Sequence, residues 1–180
     1  PGTFLPAAER YGLMPLVDRW VIRTALAHFN QLHPAGARVG LCSINLSGAS
    51  IEDPALADFI LACAAEFKVP ARKLCFEITE TVAVRSLLKV VHVIERLREA
   101  GCLIALDDFG AGMSSFGYLK NLPVDYIKID GSFIREIDRD PMSQSIVRAI
   151  TEIGHQFRTQ VVAEFVHQPQ TLLLLGGLGV

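Results

Sequence analysis

Apolar positions change period several times along the chain. Leu16, Trp20, Ile22, Ala25, Leu26 and Phe29 recur at helical spacing and predict a helix over 14–32. Residues 39–46 are apolar and rich in β-formers, which predicts a strand. A helix over 54–67 follows, with Asp53 as its expected N-cap and Pro54 just inside. Further strands are predicted at 74–78, 103–106, 126–129 and 160–163. Helices are predicted at 87–100, stopped by Gly101, and at 141–157. A last helix is expected over 168–175, stopped by Gly176 and Gly177, with Leu178 to Val180 approaching another strand. The chain is expected to open on a loop leading into the first helix.

These strands read as near-continuous apolar runs, the pattern of strands buried on both faces in a parallel sheet. Strands alternating with helices imply right-handed βαβ units and the α/β class. No linker or composition shift interrupts the chain, so 1–180 is read as one domain. Five strands are visible, whereas an eight-stranded barrel takes about 250 residues. A fragment of a larger α/β domain, cut at both ends, is therefore expected.

Composition narrows the function classes. The chain has 180 residues, is 51% hydrophobic and carries a net charge of -2. No basic stretch suits a DNA or RNA polymer. The longest apolar tract is Leu172 to Leu175, far short of a membrane span. The first residues, Pro1-Gly2-Thr3-Phe4, lack the features of a signal peptide. Cys42, Cys63, Cys75 and Cys102 form no C-x-x-C pair and are read as core thiols in a reducing compartment.

Polar residues fall near the carboxyl end of every predicted strand: Asn45, Glu77, Asp107 with Asp108, Lys128, and Glu164. In a parallel barrel or an open α/β sheet those ends share one face, where active sites sit. Each alone could be a cap or turn former, and Asp130 before Gly131-Ser132 is read that way. Glu80 is balanced between a loop anchor and a solvated side chain. The whole set in equivalent places is harder to explain so. Clustered carboxylates repel and tend to take up protons unless cations join them. Hard oxygen donors suit Mg²⁺ or Mn²⁺, and the number present suffices for two ions. Two such ions can polarise a phosphoryl oxygen and stabilise a leaving alkoxide. Lys128 then offers a cation to orient water or stabilise charge. His28, His33, His92 and His155 fall on predicted helices or their ends and are assigned no chemistry.

The doubled carboxylate in Leu106-Asp107-Asp108-Phe109-Gly110 raises a geometric question. Adjacent side chains on a strand point to opposite faces. Asp107 can take the strand end, while Asp108 is expected to be bent into the same site by the turn beginning at Phe109-Gly110.

Five segments occur in order: Ser43-Ile44-Asn45-Leu46-Ser47, Phe76-Glu77-Ile78-Thr79-Glu80, Asp107-Asp108-Phe109-Gly110-Ala111-Gly112-Met113-Ser114-Ser115, Lys128-Ile129-Asp130 and Ala163-Glu164. Together they resemble the EAL domain, the bacterial phosphodiesterase of cyclic di-GMP. The resemblance implies a TIM-like (β/α)8 barrel, incomplete here, with two Mg²⁺ or Mn²⁺ ions that opens one phosphodiester to give linear pGpG. It implies metal ligation by Asn45, Glu77, Asp107, Asp108 and Glu164. Lys128 matches the lysine that holds the catalytic water; Lys128, Asp107, Asp108 and Glu164 are thus the implied catalytic set. Gly110 to Ser115 resembles a flexible loop tied to metal binding and homodimerisation, and Glu80 matches its anchor. The substrate-binding residues stay unassigned. The family also implies a bacterial cytoplasmic location, linked sensory or GGDEF domains, and a parent that can be membrane-anchored elsewhere. The Glu-Ala-Leu strand is expected before Pro1 and the Gln-Gly-Tyr strand after Val180, so the 180 residues alone are expected to hydrolyse poorly. Ala163-Glu164-Phe165-Val166-His167 departs from the usual Ala-Glu-Gly-Val-Glu, and Met113 replaces the usual Tyr.

Three readings remain open at this point. One is the metal-dependent phosphodiesterase, favoured by Asp107, Asp108 and Lys128. Another is a degenerate module that binds cyclic di-GMP or relays a signal without cleavage, favoured by His167. The third, from the carboxylates and lysine alone, is metal-assisted enolate chemistry with a lysine base.

Overall fold

The computed structural model describes residues 2–31, 40–112 and 116–180. Five parallel strands form one sheet in the order β1-β2-β3-β4-β5, so each strand lies beside its neighbour in sequence. They are β1 (Cys42–Asn45), β2 (Leu74–Thr79), β3 (Leu103–Phe109), β4 (Tyr126–Ile129) and β5 (Gln160–Ala163). The helices are α1 (Leu5–Arg10), α2 (Met14–Ala27), α3 (Gly48–Ile51), α4 (Leu56–Glu66), α5 (Glu80–Arg85), α6 (Leu87–Glu99), α7 (Gly131–Ile134), α8 (Pro141–Gln156) and α9 (Pro169–Leu178). Consecutive parallel strands joined through helices are the repeating unit of a β/α barrel, part of which is present here.

The apolar faces explain the layers. Val90, Val93, Ile94 and Leu97 form the buried stripe of α6, and Val147, Ile150, Thr151 and Gly154 that of α8. They close on one continuous core with Phe76, Ile78, Ile104, Leu106, Ile127 and Ile129 from the sheet. β2 is buried over its first five residues, whereas β1 and β5, with one strand neighbour each, alternate toward exposure. The left-handed Gly101 (φ +93) ends α6 as expected; Cys102 N–H donates to Leu97 O at 3.1 Å.

Several expectations need correction. The first main helix stops at Ala27, where His28 Nδ1 lies 2.9 Å from Thr24 O, and one tight turn follows at Phe29–Gln31. Leu32, His33 and Val39 lie outside the described residues. The buried stripe of α2 is Met14, Asp18, Ile22 and Leu26, while Leu16 and Trp20 stay largely exposed. Asp18 is buried because it accepts from Ser47 N–H and Ser50 Oγ, at 2.8 and 2.6 Å. Asp53 does not cap α4. It accepts from Ala55 N–H in the preceding turn and pairs with Arg19 at 2.7 Å, so the helix begins at Leu56.

The largest revision concerns the last helix. Gly176 and Gly177 lie inside α9, and Leu178 is helical rather than the approach to a strand. Thr171, Leu175 and Leu178 bury one face at i, i+4, i+7 spacing, which outweighs the poor propensity of the two glycines. The stop is Gly179, at φ +89. The short α1, α3, α5 and α7 carry too few residues for a readable period. Among the described residues no helix is long and apolar enough to cross a membrane. All four cysteines are free; Cys63, Cys75 and Cys102 are buried and Cys42 half-buried.

Candidate active site

Register places the polar residues. Asn45 pairs with Glu77, which pairs with Ala105, two residues before Asp107. Ala105 pairs with Tyr126, two residues before Lys128, and Lys128 pairs with Val162, two before Glu164. A period of two keeps those side chains on one face of the sheet, at its carboxyl end.

Lys128 is the hub. Its Nζ lies 2.6 Å from Glu77 Oε2, 3.1 Å from Asp107 Oδ1 and 2.7 Å from Glu164 Oε1. Side-chain exposure is 12% for Lys128, against 9%, 13% and 34% for these partners, so the first two pairs are well screened from water. Burial is the largest single effect on the ammonium and pulls its pKa down. The bonds to Glu164, Glu77 and Asp107 together reverse it, and Lys128 is held protonated beyond its ordinary range. In this arrangement Lys128 donates to its three carboxylates.

Asp108 stands apart from this hub. It is exposed, and its backbone is left-handed at φ +53. The ladder explains how: Leu106 pairs with Ile127 and Phe109 with Ile129, so two residues of β3 oppose the single Lys128. This bulge, not the following glycines, turns Asp108. Phe109 is still a buried strand residue, and Asp108 N–H donates to Asp107 Oδ1 at 3.0 Å. Asp tolerates the left-handed region better than most side chains. Partial desolvation of the carboxyl by its surroundings, and then the charges of Asp107, Asp130 and Glu164, raise the pKa of Asp108 although the residue as a whole is exposed. Four carboxylates against one ammonium leave a surplus of negative charge that dications would neutralise.

That surplus bears on metal binding. Among the described residues no three of His, Cys, Asp and Glu are arranged as a ready coordination shell. Glu77, Asp107 and Glu164 close instead on the Lys128 ammonium, a cation standing where three hard oxygen donors converge. The donor chemistry thus fits Mg²⁺ or Mn²⁺, provided the ammonium yields its place. Asn45 is exposed at the end of β1, beside Glu77 in register and outside the Lys128 ion pairs.

Two further residues brace this face. Glu80 opens α5, is 3% exposed, and accepts from Gly110 N–H at 3.0 Å and Tyr118 Oη–H at 2.8 Å. Burial and then Glu80 push the Tyr118 phenol well above its ordinary range. Gly110 takes φ +96, and a Cβ there would come 3.0 Å from the Phe133 ring. Met113, Ser114 and Ser115 of the same loop lie outside the described residues. Asp130 caps α7 through Ser132 N–H at 2.8 Å.

Sequence reasoning missed Tyr118, Phe165 and Arg135. Phe165 follows Glu164 with φ +57, a conformation that costs a non-glycine residue roughly 1–2 kcal/mol. The only readable signal was phenylalanine at a position where the resembling family has glycine.

Fold and site together define a parallel β/α domain of the barrel type, with an acidic site at its strand ends. The chain belongs to the EAL domain family, whose model matches residues 1–180. It is 37% identical over 180 residues to cyclic di-GMP phosphodiesterase PdeB of Shewanella oneidensis, covering 100% of this chain and 21% of that protein. The chain therefore spans about a fifth of that relative's length. It superposes on the PaMucR phosphodiesterase, solved as a c-di-GMP complex, with a TM-score of 0.90 at 33% identity, covering 99% of this chain and 72% of that one. The FimX EAL domain from Pseudomonas aeruginosa, bound to c-di-GMP, gives 0.89 at 29% identity, covering 100% and 72%.

Proposed function

We propose that this domain hydrolyses one phosphodiester bond of cyclic di-GMP to linear pGpG with the help of two Mg²⁺ or Mn²⁺ ions. The observation that carries this reading is the convergence of Glu77, Asp107 and Glu164 on one cation, with Asp108 on the adjoining bulge under the influence of the Asp107 and Glu164 charges. Relatives named as cyclic di-GMP phosphodiesterases and neighbours solved with c-di-GMP support the substrate.

In this reading Asn45, Glu77, Asp107, Asp108 and Glu164 hold the ions. Divalent cations at this place supply Lewis-acid charge for the phosphoryl oxygen and lower the pKa of water. Lys128, released by its carboxylates, donates a hydrogen bond to the attacking water and offsets the charge that develops on the phosphoryl oxygens. Water adds its oxygen to phosphorus, the bond to the ribose 3′ oxygen breaks, and that oxygen takes the proton. Glu80, held by Gly110 and Tyr118, anchors the loop after β3. The same loop is proposed to carry a homodimer contact, in a bacterial cytoplasmic protein with sensory or GGDEF domains elsewhere in the chain.

His167, where the family commonly has glutamate, favours a second reading, a module that binds cyclic di-GMP without cleaving it. Incubating the full-length protein with cyclic di-GMP and Mg²⁺ separates the two. The expected result is pGpG, lost on chelation and restored by Mn²⁺. Tight binding with no product under either metal would establish the second reading instead.

A further inference from the structure

Phe165 directly follows Glu164, and its left-handed backbone is one that bulky side chains rarely adopt. Local preference does not hold it there, so tertiary contacts must. Its ring lies on Gly131, the first residue of α7, where an added Cβ would overlap ring atoms Cδ2 and Cε2. The Arg135 guanidinium, on the residue closing α7, lies 4.5 Å from the ring centroid. His167 meets the ring edge-on, with centroids 6.3 Å apart. Yet Phe165 is 46% exposed, so it is not simply a core residue. The seat joins two loops of the site: Gly131 follows Asp130 at the end of β4, and Phe165 follows Glu164 at the end of β5.

We propose that Phe165 is a positioning residue: its ring, seated at Gly131 against Arg135, holds the turn that aims Glu164 at Lys128 and at the divalent cations. This rests on the metal-dependent reading above. Glycine would take this φ without side-chain help. Phenylalanine keeps it only while the ring is seated, so here the seat fixes the direction of Glu164. A ligand held this way depends on its supporting contact, as metal ligands depend on the groups that orient them.

The test uses the full-length protein and Mn²⁺ alone, titrated by the electron paramagnetic resonance of the free ion. Phe165→Ala removes the ring that holds the left-handed turn, and is expected to weaken Mn²⁺ binding roughly tenfold, the lower end for a group that orients a ligand. Gly131→Ala evicts the ring and should match it; if that variant fails to fold, the half-exposed Phe165→Ala still decides. Phe165→Tyr keeps the seat and should restore native affinity. Folded Phe165→Ala that binds Mn²⁺ within about twofold of the native protein, even with a lower Tm, overturns the proposal, because orienting contacts are worth more than that. If the native protein binds no Mn²⁺, the metal reading fails separately. Amide hydrogen exchange over 163–167 then decides: faster exchange in Phe165→Ala supports the seat, and unchanged exchange overturns it.

Discussion

Lys128→Met in the full-length protein is expected to lower kcat by about 10²–10³-fold, the loss seen when one preorganised donor is removed from a developing charge. The same substitution is expected to tighten Mn²⁺ binding. Both follow from one geometry. The Nζ lies within 3.1 Å of Glu77, Asp107 and Glu164, so the ammonium competes with any ion for these oxygens. Removing it frees the donors for metal and, in the proposed mechanism, removes the group that orients water. Without metal, the variant keeps three carboxylates facing one another with no cation, so its unfolding midpoint should fall and recover on adding Mn²⁺. Kinetics, Mn²⁺ titration and thermal melts check the three parts. Weaker Mn²⁺ binding by Lys128→Met would show that the lysine supports the ion site rather than occupying it.

Asp107→Asn and Asp108→Asn should each reduce cleavage to near background, by about 10³-fold or more. That corresponds to the several kcal/mol of transition-state stabilisation that bound metal supplies, at about 1.4 kcal/mol per tenfold. The two should differ in stability. Asn at 107 loses an ion pair with Lys128 and should destabilise the fold. Asn at 108 tolerates the left-handed backbone and removes a charge repelled by Asp107, Asp130 and Glu164. The sign is definite: a carboxyl whose folded pKa is raised destabilises the fold once pH exceeds its unfolded value, fully so above the folded one. Metal-free Asp108→Asn should therefore melt higher than the native protein at neutral pH and equally at low pH. Near-normal turnover of either variant at limiting Mg²⁺ would reduce that carboxylate to a backbone cap.

The strand ends were legible because they depend only on a period of two and on where apolar runs stop. The β4 and β5 bounds match expectation at both ends, and Glu77, Asp107, Lys128 and Glu164 meet on one face as that period requires. What escaped depends on contacts between distant residues. The bulge at Asp108 is a two-against-one pairing with β4 that no stretch of β3 encodes alone. Leu16 and Trp20 fit a helical period yet face outward, because α2 packs through Met14, Asp18, Ile22 and Leu26. Gly176 and Gly177 read as a stop, but burial of Leu175 and Leu178 carries α9 past them. The Phe165 seat showed only as phenylalanine where the resembling family has glycine, since its other half is a missing Cβ at Gly131.

The central claim is that these strand ends hold two cations around Asp107 and Asp108, with Lys128 released to the substrate side. Anomalous diffraction from Mn²⁺-grown crystals of the full-length protein tests it most directly. The account predicts two peaks about 3.5–4 Å apart, a spacing typical of paired catalytic ions, within reach of Asp107, Asp108, Glu77 and Glu164. It also predicts that Lys128 Nζ leaves its three carboxylates. No peak, or a single one, with the ammonium still seated among Glu77, Asp107 and Glu164, would contradict it.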